Sequence, residues 1–349
     1  MKKFLFPAIL LGCLLVTPPA GALADDVVVG VNLVNAPDRL TPREQDAMLD
    51  NMKDAGVRVI RAGIANNDPS LDFARRVYAR GMKIEWFAWG IPGPSGNMIL
   101  SSADPDKFRA YFQPLLAKLE SEGIVLAGLE LGNEINWSNH DLGQSGTGRV
   151  LTLEDLGSNP KGQQVARGYL QYIKLLAVLK DIRDHSTLNR HTPIISAGSG
   201  ELDHGIKGRD AVSLKAMIQF LRANGMDKYV DAYGVHFYPE GNTTPAARLS
   251  SLQRDFAECG AGGGGKPCWL TEWGLPVHTG KSCPVNDDNR IRIFSELRDD
   301  FRQLAQQGRL KGLLFYTWQG DFRSGENNPY AVFICGASTK SGRLAIAPM

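Results

Sequence analysis

The sequence predicts a (β/α)8 TIM barrel, on three observations. Short runs rich in β-branched and apolar residues alternate with longer stretches of helical period from Asp26 onward, the rhythm of strands each followed by a crossover helix. Several of these runs are almost continuously apolar, as parallel strands covered on both faces must be. A chain of 349 residues also holds the roughly 250 that such a barrel uses, with room for insertions. An open doubly wound sheet is the competing arrangement of the same alternation.

Eight strands are read at Val27 to Leu33, Arg58 to Ile64, Lys83 to Trp89, Val125 to Asn133, Pro193 to Gly198, Asp231 to Tyr238, Pro267 to Trp273 and Lys311 to Trp318. Helical segments between them include Thr41 to Ala55, Asp104 to Glu122, Gln163 to His185, Ser213 to Asn224 and Asp288 to Gln307. Thr41-Pro42-Arg43-Glu44 reads as a capping box with proline at the first helical position. Gly123 and Asn224-Gly225 stop the helices before them. The largest interruption, Ile135 to about Lys161, follows the fourth strand and is rich in Asn, Gly and Ser; on a barrel it is a loop at the active-site face. Beyond Trp318 no convincing helix is read, so the last barrel helix is expected to be short or absent.

Composition is ordinary for a globular domain, at 43% hydrophobic and 22% charged residues. A formal net charge of +2 with no basic block gives no reason to expect a nucleic-acid or anionic-membrane partner. Met1-Lys2-Lys3, the apolar run Phe4 to Val16 and the small-residue stretch Ala22-Leu23-Ala24 read as a secretory signal peptide over residues 1–24, cleaved after Ala24. That run is too short to span a bilayer. A lipoprotein anchored through Cys13 is the lesser alternative. The mature chain, 25–349, is then a single secreted or periplasmic (β/α)8 domain, expected as a monomer.

Four cysteines remain in it, Cys259, Cys268, Cys283 and Cys335, an even number suited to disulfides in an oxidising compartment. Three pairings are possible. Cys259 with Cys268 would close a glycine-rich loop and leave Cys283 to meet Cys335. A zinc site is disfavoured because no CxxC pair or suitably spaced histidine accompanies them. Between Cys259 and Cys268, Gly260, Gly265 and Lys266 mimic a phosphate-binding loop, but Pro267 stands where a Ser or Thr should be and a strand follows instead of a helix. The segment is read as a flexible αβ loop.

Polar residues that interrupt apolar strands are the candidates for chemistry, because a desolvated polar group needs compensation. Leu129-Glu130-Leu131-Gly132-Asn133-Glu134 ends the fourth strand and Trp269-Leu270-Thr271-Glu272-Trp273 ends the seventh, so each delivers a glutamate to the C-terminal mouth. Glu130 lies deeper, as a buried satisfied carboxylate or a partner behind the site. Two carboxylates facing each other over a sugar supply what glycosidic cleavage needs, a proton donor and a nucleophile or base. Each glutamate alone could instead be a structural ion-pair partner.

Asn133-Glu134 and Thr271-Glu272-Trp273 in these positions resemble the signature of glycoside hydrolase clan A, the superfamily containing the family 5 and family 39 barrels. The resemblance implies Glu134 as acid/base, Glu272 as nucleophile, retention of anomeric configuration and carboxyl groups roughly 5 Å apart. It also implies that Arg61 keeps Glu272 ionised, Asn133 binds the sugar 2-hydroxyl and Tyr238 donates a hydrogen bond to Glu272. His236 would contact substrate or the acid/base, and Trp318 would floor the reacting sugar. Trp89, Trp137 and Trp273, at strand ends or adjoining loops, are candidate sugar-stacking faces, whereas Trp86, in mid-strand, is assigned to the core. An oligo- or polysaccharide is the expected substrate, with no cofactor and no metal. Two further readings stand beside this one: a carbohydrate-binding barrel that has lost catalysis and serves as sensor or scaffold, and a metal-dependent hydrolase on the same fold, which lacks a histidine and carboxylate ligand set at its strand ends.

Overall fold

A computed structural model describes residues 27–33, 40–88, 99–137, 140–142, 147–202, 209–260, 265–277, 283, 285–319 and 328–349. The segment 1–24 read as a signal peptide, with Cys13, and Trp89 lie outside the described residues. Eight parallel strands close into a barrel in sequential order: β1 (Val28–Asn32), β2 (Val59–Gly63), β3 (Lys83–Ala88), β4 (Gly128–Asn133), β5 (Ile194–Gly200), β6 (Tyr233–Phe237), β7 (Cys268–Trp273) and β8 (Leu310–Phe315), with β8 pairing back onto β1. This is the (β/α)8 fold.

The outer layer consists of α1 (Pro42–Asp54), α2 (Asp68–Ala79), α3 (Pro105–Ser121), α4 (Pro160–Asp184), α5 (Leu214–Ala223), α6 (Pro245–Asp255), α7 (Asp288–Gln306) and α8 (Lys340–Ile346). Most of their starts follow one local rule. A side-chain oxygen of Thr41, Asn67, Asp104, Asn159, Ser213 or Thr244 accepts from an N–H of the first turn, and proline commonly follows where no N–H is needed. The Thr41/Glu44 capping box forms in both directions. The last helix is present but short, seven residues begun by Thr339, whose hydroxyl accepts from the Gly342 N–H.

Inside the barrel the packing is layered. Val59, Ile195, Ala232, Trp269 and Leu314 fill the floor. Above them lies a polar layer, and above that the mouth. Trp86 points outward and stacks on Phe112 at 4.5 Å, in keeping with its mid-strand position.

The insertion after β4 carries structure of its own. A short strand, Val150–Leu151, pairs in parallel with Ala211–Val212 from the loop after β5, and a short helix, Leu153–Ser158, leads into α4. Asn136 ties these two loops together, donating from Nδ2 to the carbonyls of Gly200 and Val212 at 2.9 and 3.1 Å. Both disulfides form: Cys259–Cys268 closes the αβ loop before β7, and Cys283–Cys335 joins the loops after β7 and β8. Arg290 reinforces that second junction from α7, donating to the Pro329 and Ala331 carbonyls and to the hydroxyls of Thr339 and Ser341. No helix among the described residues is long and apolar enough to cross a membrane.

Candidate active site

Two local departures from regular strand geometry aim the glutamates. In β4, Gly132 adopts φ +82°, where a β-carbon would come 3.2 Å from Ile135 Cγ2, and Glu134 itself has φ +50°. Such a conformation is unfavourable for a non-glycine residue and persists where surrounding structure enforces it. Here the enforcing contacts are Glu134 N–H to the Gly198 carbonyl at 2.6 Å and Trp137 N–H to the Glu134 carbonyl at 3.0 Å. From outside the barrel, the Tyr172 hydroxyl on α4 bonds the Leu131 carbonyl and the Ala197 N–H, both at 2.8 Å, locking β4 to β5.

In β7 the device is a bulge. Val235 pairs with Leu270 and the next residue, His236, with Glu272, so β7 carries one extra residue at Thr271. Regular alternation would send Glu272 outward, because Thr271 faces in; the bulge turns Glu272 into the mouth. It also sends Trp273 the other way.

The polar layer centres on Arg61 from β2. Its Nε donates to Glu130 Oε2 at 2.5 Å, Nη1 to Asn32 Oδ1 and Glu272 Oε1 at 2.7 Å each, and Nη2 to Asn133 Oδ1 at 2.8 Å. Its guanidinium lies over the Phe87 ring, 4.6 Å from the centroid. One planar cation thus bonds three strands besides its own, β1, β4 and β7, through its fixed fork of donors, and meets a fourth, β3, through the Phe87 ring. Asn32 is held in turn by a bond from its Nδ2 to the Thr271 carbonyl at 2.8 Å.

Glu272 is nearly buried, and Tyr238 OH donates to its Oε2 at 2.6 Å. Burial alone would raise its pKa, but the charges of His236 and Arg61 and the hydrogen bonds from Tyr238 and Arg61 outweigh burial and hold it below the ordinary carboxylate value. His236 Nδ1 lies 3.2 Å from Glu134 Oε1 and 3.6 Å from Glu272 Oε2. Burial disfavours its charged form, yet Glu272 and Glu134 together raise its pKa, with Arg61 opposing. Tyr238 is pushed well up by burial and by Glu272, so it remains a proton donor.

Donor atoms of Glu134, His236 and Glu272 all lie within 4.8 Å of one another. That spacing would suit a cation by itself. Glu272 also has a guanidinium at 2.7 Å, and the pKa of the neighbouring imidazole is raised, so positive charge already lies against the carboxylate pair.

No family model and no curated protein matches the sequence. Solved structures do. The chain is similar to a fungal beta-1,4-galactanase at 16% identity and TM-score 0.57, over 91% of this chain and 93% of that one. It is similar to the virulence factor SghA, solved with the substrate analogue salicin, at 13% identity and TM-score 0.55, over 92% and 94%, and to ZgEngAGH5_4 at 14% and 0.52, over 93% and 97%. At these identities the likeness establishes the barrel.

The structure therefore brings Glu134, Glu272, Arg61, Asn133, His236 and Tyr238 together, with Trp137 half-buried just beyond Glu134. Two tryptophans expected at the sugar are buried away from it. Trp273, fully buried, packs among Phe294, Phe301 and Phe315 under α7, because the β7 bulge reverses its direction. Trp318 is 1% exposed and stacks on Phe333 at 5.7 Å, its backbone bonded to Asn32 and Phe333 past the end of β8. The aromatic residues beside Glu272 are tyrosines: Tyr238 meets Tyr316 at 6.1 Å and Tyr330 at 5.7 Å, both edge to face. Tyr316 continues the inward series of Gly312 and Leu314, a period-2 signal present in the sequence. Tyr330 has no such signal, because a long excursion delivers it.

Gly198 makes the core of the site possible. A β-carbon there would sit 2.1 Å from Thr271 Oγ1, 2.4 Å from His236 Nε2 and 2.7 Å from Glu130 Oε1. Gly198→Ala is expected to lose about 1–3 kcal/mol of stability by overpacking, and to displace His236 from Glu134. Urea unfolding and kcat measured together check this; an alanine variant with unchanged stability and turnover would mean the three groups tolerate separation.

Proposed function

We propose that the protein is a retaining β-glycosidase, with Glu134 as acid/base and Glu272 as nucleophile, acting on an extracellular or cell-envelope polysaccharide. The observation that carries this reading is the carboxylate pair: oxygens of the two glutamates approach within 4.8 Å, the close spacing of a double-displacement site rather than one that leaves room for water between them. Glu272 is gripped by a permanent cation and a tyrosine hydroxyl, which suits a group that must stay ionised, and the Glu134 carboxyl group stands beside it, 3.2 Å from His236 Nδ1.

In the first step Glu134 gives its proton to the glycosidic oxygen as the Glu272 carboxylate attacks the anomeric carbon. The C–O bond breaks, the alcohol leaves and a glycosyl ester forms on Glu272. Glu134, now a carboxylate, takes a proton from water, whose oxygen attacks the same carbon; the ester bond breaks and Glu272 is released as carboxylate. Asn133 would bind the 2-hydroxyl and the Tyr238, Tyr316 and Tyr330 cluster would wall the sugar site. The barrel shared with a beta-1,4-galactanase supports a β-linked substrate. The two disulfides and the apolar leader suit an oxidising compartment outside the cytoplasm.

The test is proton NMR during hydrolysis of aryl β-glycosides and of galactan, glucan, mannan and xylan. The β-anomer is expected as first product on at least one substrate. An α-anomer appearing first would overturn retention, and saccharide binding without turnover across the panel would favour a non-catalytic carbohydrate-binding barrel.

A further inference from the structure

Behind the site lies a second carboxylate pair that the proposed chemistry does not use. Glu85 from β3 and Glu130 from β4 are both 0% exposed and point into the barrel one layer below Glu272. Glu130 is well supplied, accepting from Arg61 Nε at 2.5 Å and from the Gly198 N–H at 2.8 Å. Glu85 is not. Its nearest cation, Arg61 Nε, is 3.6 Å away and committed to Glu130, and neither Glu85 oxygen has a donor among the described residues.

An ionised carboxylate in that position would be buried without a hydrogen bond and would repel Glu130, two penalties that each disfavour the charged form. A protonated one avoids both. It carries an O–H that Glu130, the carboxylate beside it, accepts. Burial first, and then the negative charge of Glu130, drive the Glu85 carboxyl well above the ordinary range, with Arg61 opposing. Among the described residues, the charged groups facing this pair are Arg61 from β2 and, beyond it, Glu272 from β7 and His236 from β6.

We propose that Glu85 is a positioning residue: its carboxyl group donates the hydrogen bond that fixes Glu130 under Arg61, and through Arg61 it fixes the contact to Glu272. The geometry is a chain in which each link has a single good orientation. Glu130 holds Nε, and a planar guanidinium held at Nε and at Asn32 can present Nη1 to Glu272 in one way only. A neutral Glu85 completes the set without adding a third negative charge to compete for Arg61.

This inference rests on the nucleophile role proposed for Glu272, and its test separates the two. Glu85→Gln, neutral and able to donate, is expected to keep kcat/KM within about threefold of wild type, whereas Glu85→Leu should lose about 10- to 100-fold, in kcat rather than KM, for an unsatisfied buried acceptor. In Glu85→Leu the acid limb of the pH profile should also move to higher pH, since Glu272 loses a well-aimed cation; a purely structural role would leave that limb in place. Two readouts need no activity. The wild-type minus Glu85→Gln infrared difference spectrum near neutral pH should contain a protonated-carboxyl stretch, and the Arg61 Nε–H resonance should persist in Glu85→Gln and shift in Glu85→Leu. A missing carboxyl band, a Gln variant as impaired as the Leu variant, or a Leu variant with the wild-type pH profile would overturn the proposal. Wild-type protein inert on every substrate would instead count against the glycosidase reading and leave the spectroscopic arms decisive for Glu85.

Discussion

Glu272→Gln is expected to lower kcat/KM by about 10⁴-fold or more, the scale seen when a covalent nucleophile is removed. The substitution keeps volume and shape but removes the group that would form the glycosyl ester. It also disturbs the surroundings in a defined way. Both Glu272 oxygens accept strong hydrogen bonds, one from Arg61 Nη1 at 2.7 Å and one from Tyr238 OH at 2.6 Å. An amide offers one acceptor and one donor, so one of those partners must face an N–H. The cost should be about 1–3 kcal/mol of stability, leaving the barrel folded, because the carboxylate's own desolvation disappears at the same time. Steady-state kinetics with urea unfolding on the same preparation checks both parts. Activity within tenfold of wild type in a folded variant would refute the nucleophile assignment.

How much of this is legible in the sequence depends on which rule governs each residue. The barrel is readable because parallel strands covered on both faces leave apolar runs; Arg58 to Ile64, for instance, differs from the observed Val59–Gly63 by one residue at each end. Glu134 and Glu272 are placed at the mouth because each ends such a run. Direction is harder. A one-residue bulge at Thr271 and the left-handed turn at Gly132 reset which side chains face inward, and nothing in a period-2 pattern announces either. That is why the sequence points Trp273 at the sugar while the fold buries it under α7.

Glu85 is a different case. It interrupts the strand Lys-Ile-Glu-Trp-Phe-Ala just as Glu130 interrupts β4, and the same desolvation argument applied to β3 singles it out. Asn32 and Phe87 follow from the same alternation. The tyrosine cluster does not: Tyr330 reaches the site only because the Cys283–Cys335 disulfide and Arg290 hold the segment after β8 against the loop after β7, a long-range arrangement with no local signature.

Arg61→Met is the second substitution with a large expected effect, and its sign can be worked out with pH. Burial disfavours the Arg61 cation, but Glu130 and Glu272 outweigh burial and keep it charged throughout the accessible pH range. Methionine fills much of the volume and leaves two buried carboxylates without their common partner. Breaking a buried ion pair from one side costs about 3–5 kcal/mol, so urea unfolding at neutral pH should show a loss of that size. Glu272, whose folded pKa lies below its unfolded value, contributes stability that is present above the unfolded value and lost as pH falls through the folded one. Without Arg61 its folded pKa rises and that contribution shrinks. The stability gap between wild type and Arg61→Met should therefore be widest near neutral pH and narrow below about pH 4, where an ordinary glutamate is itself protonated. Any residual activity should show an acid limb displaced to higher pH. Arg61→Lys should recover only part of the loss, since a point charge cannot meet Glu130, Asn32, Glu272 and Asn133 at once. A gap that stayed constant from acid to neutral pH would mean that Arg61 acts through packing on Phe87 rather than through the carboxylates it touches.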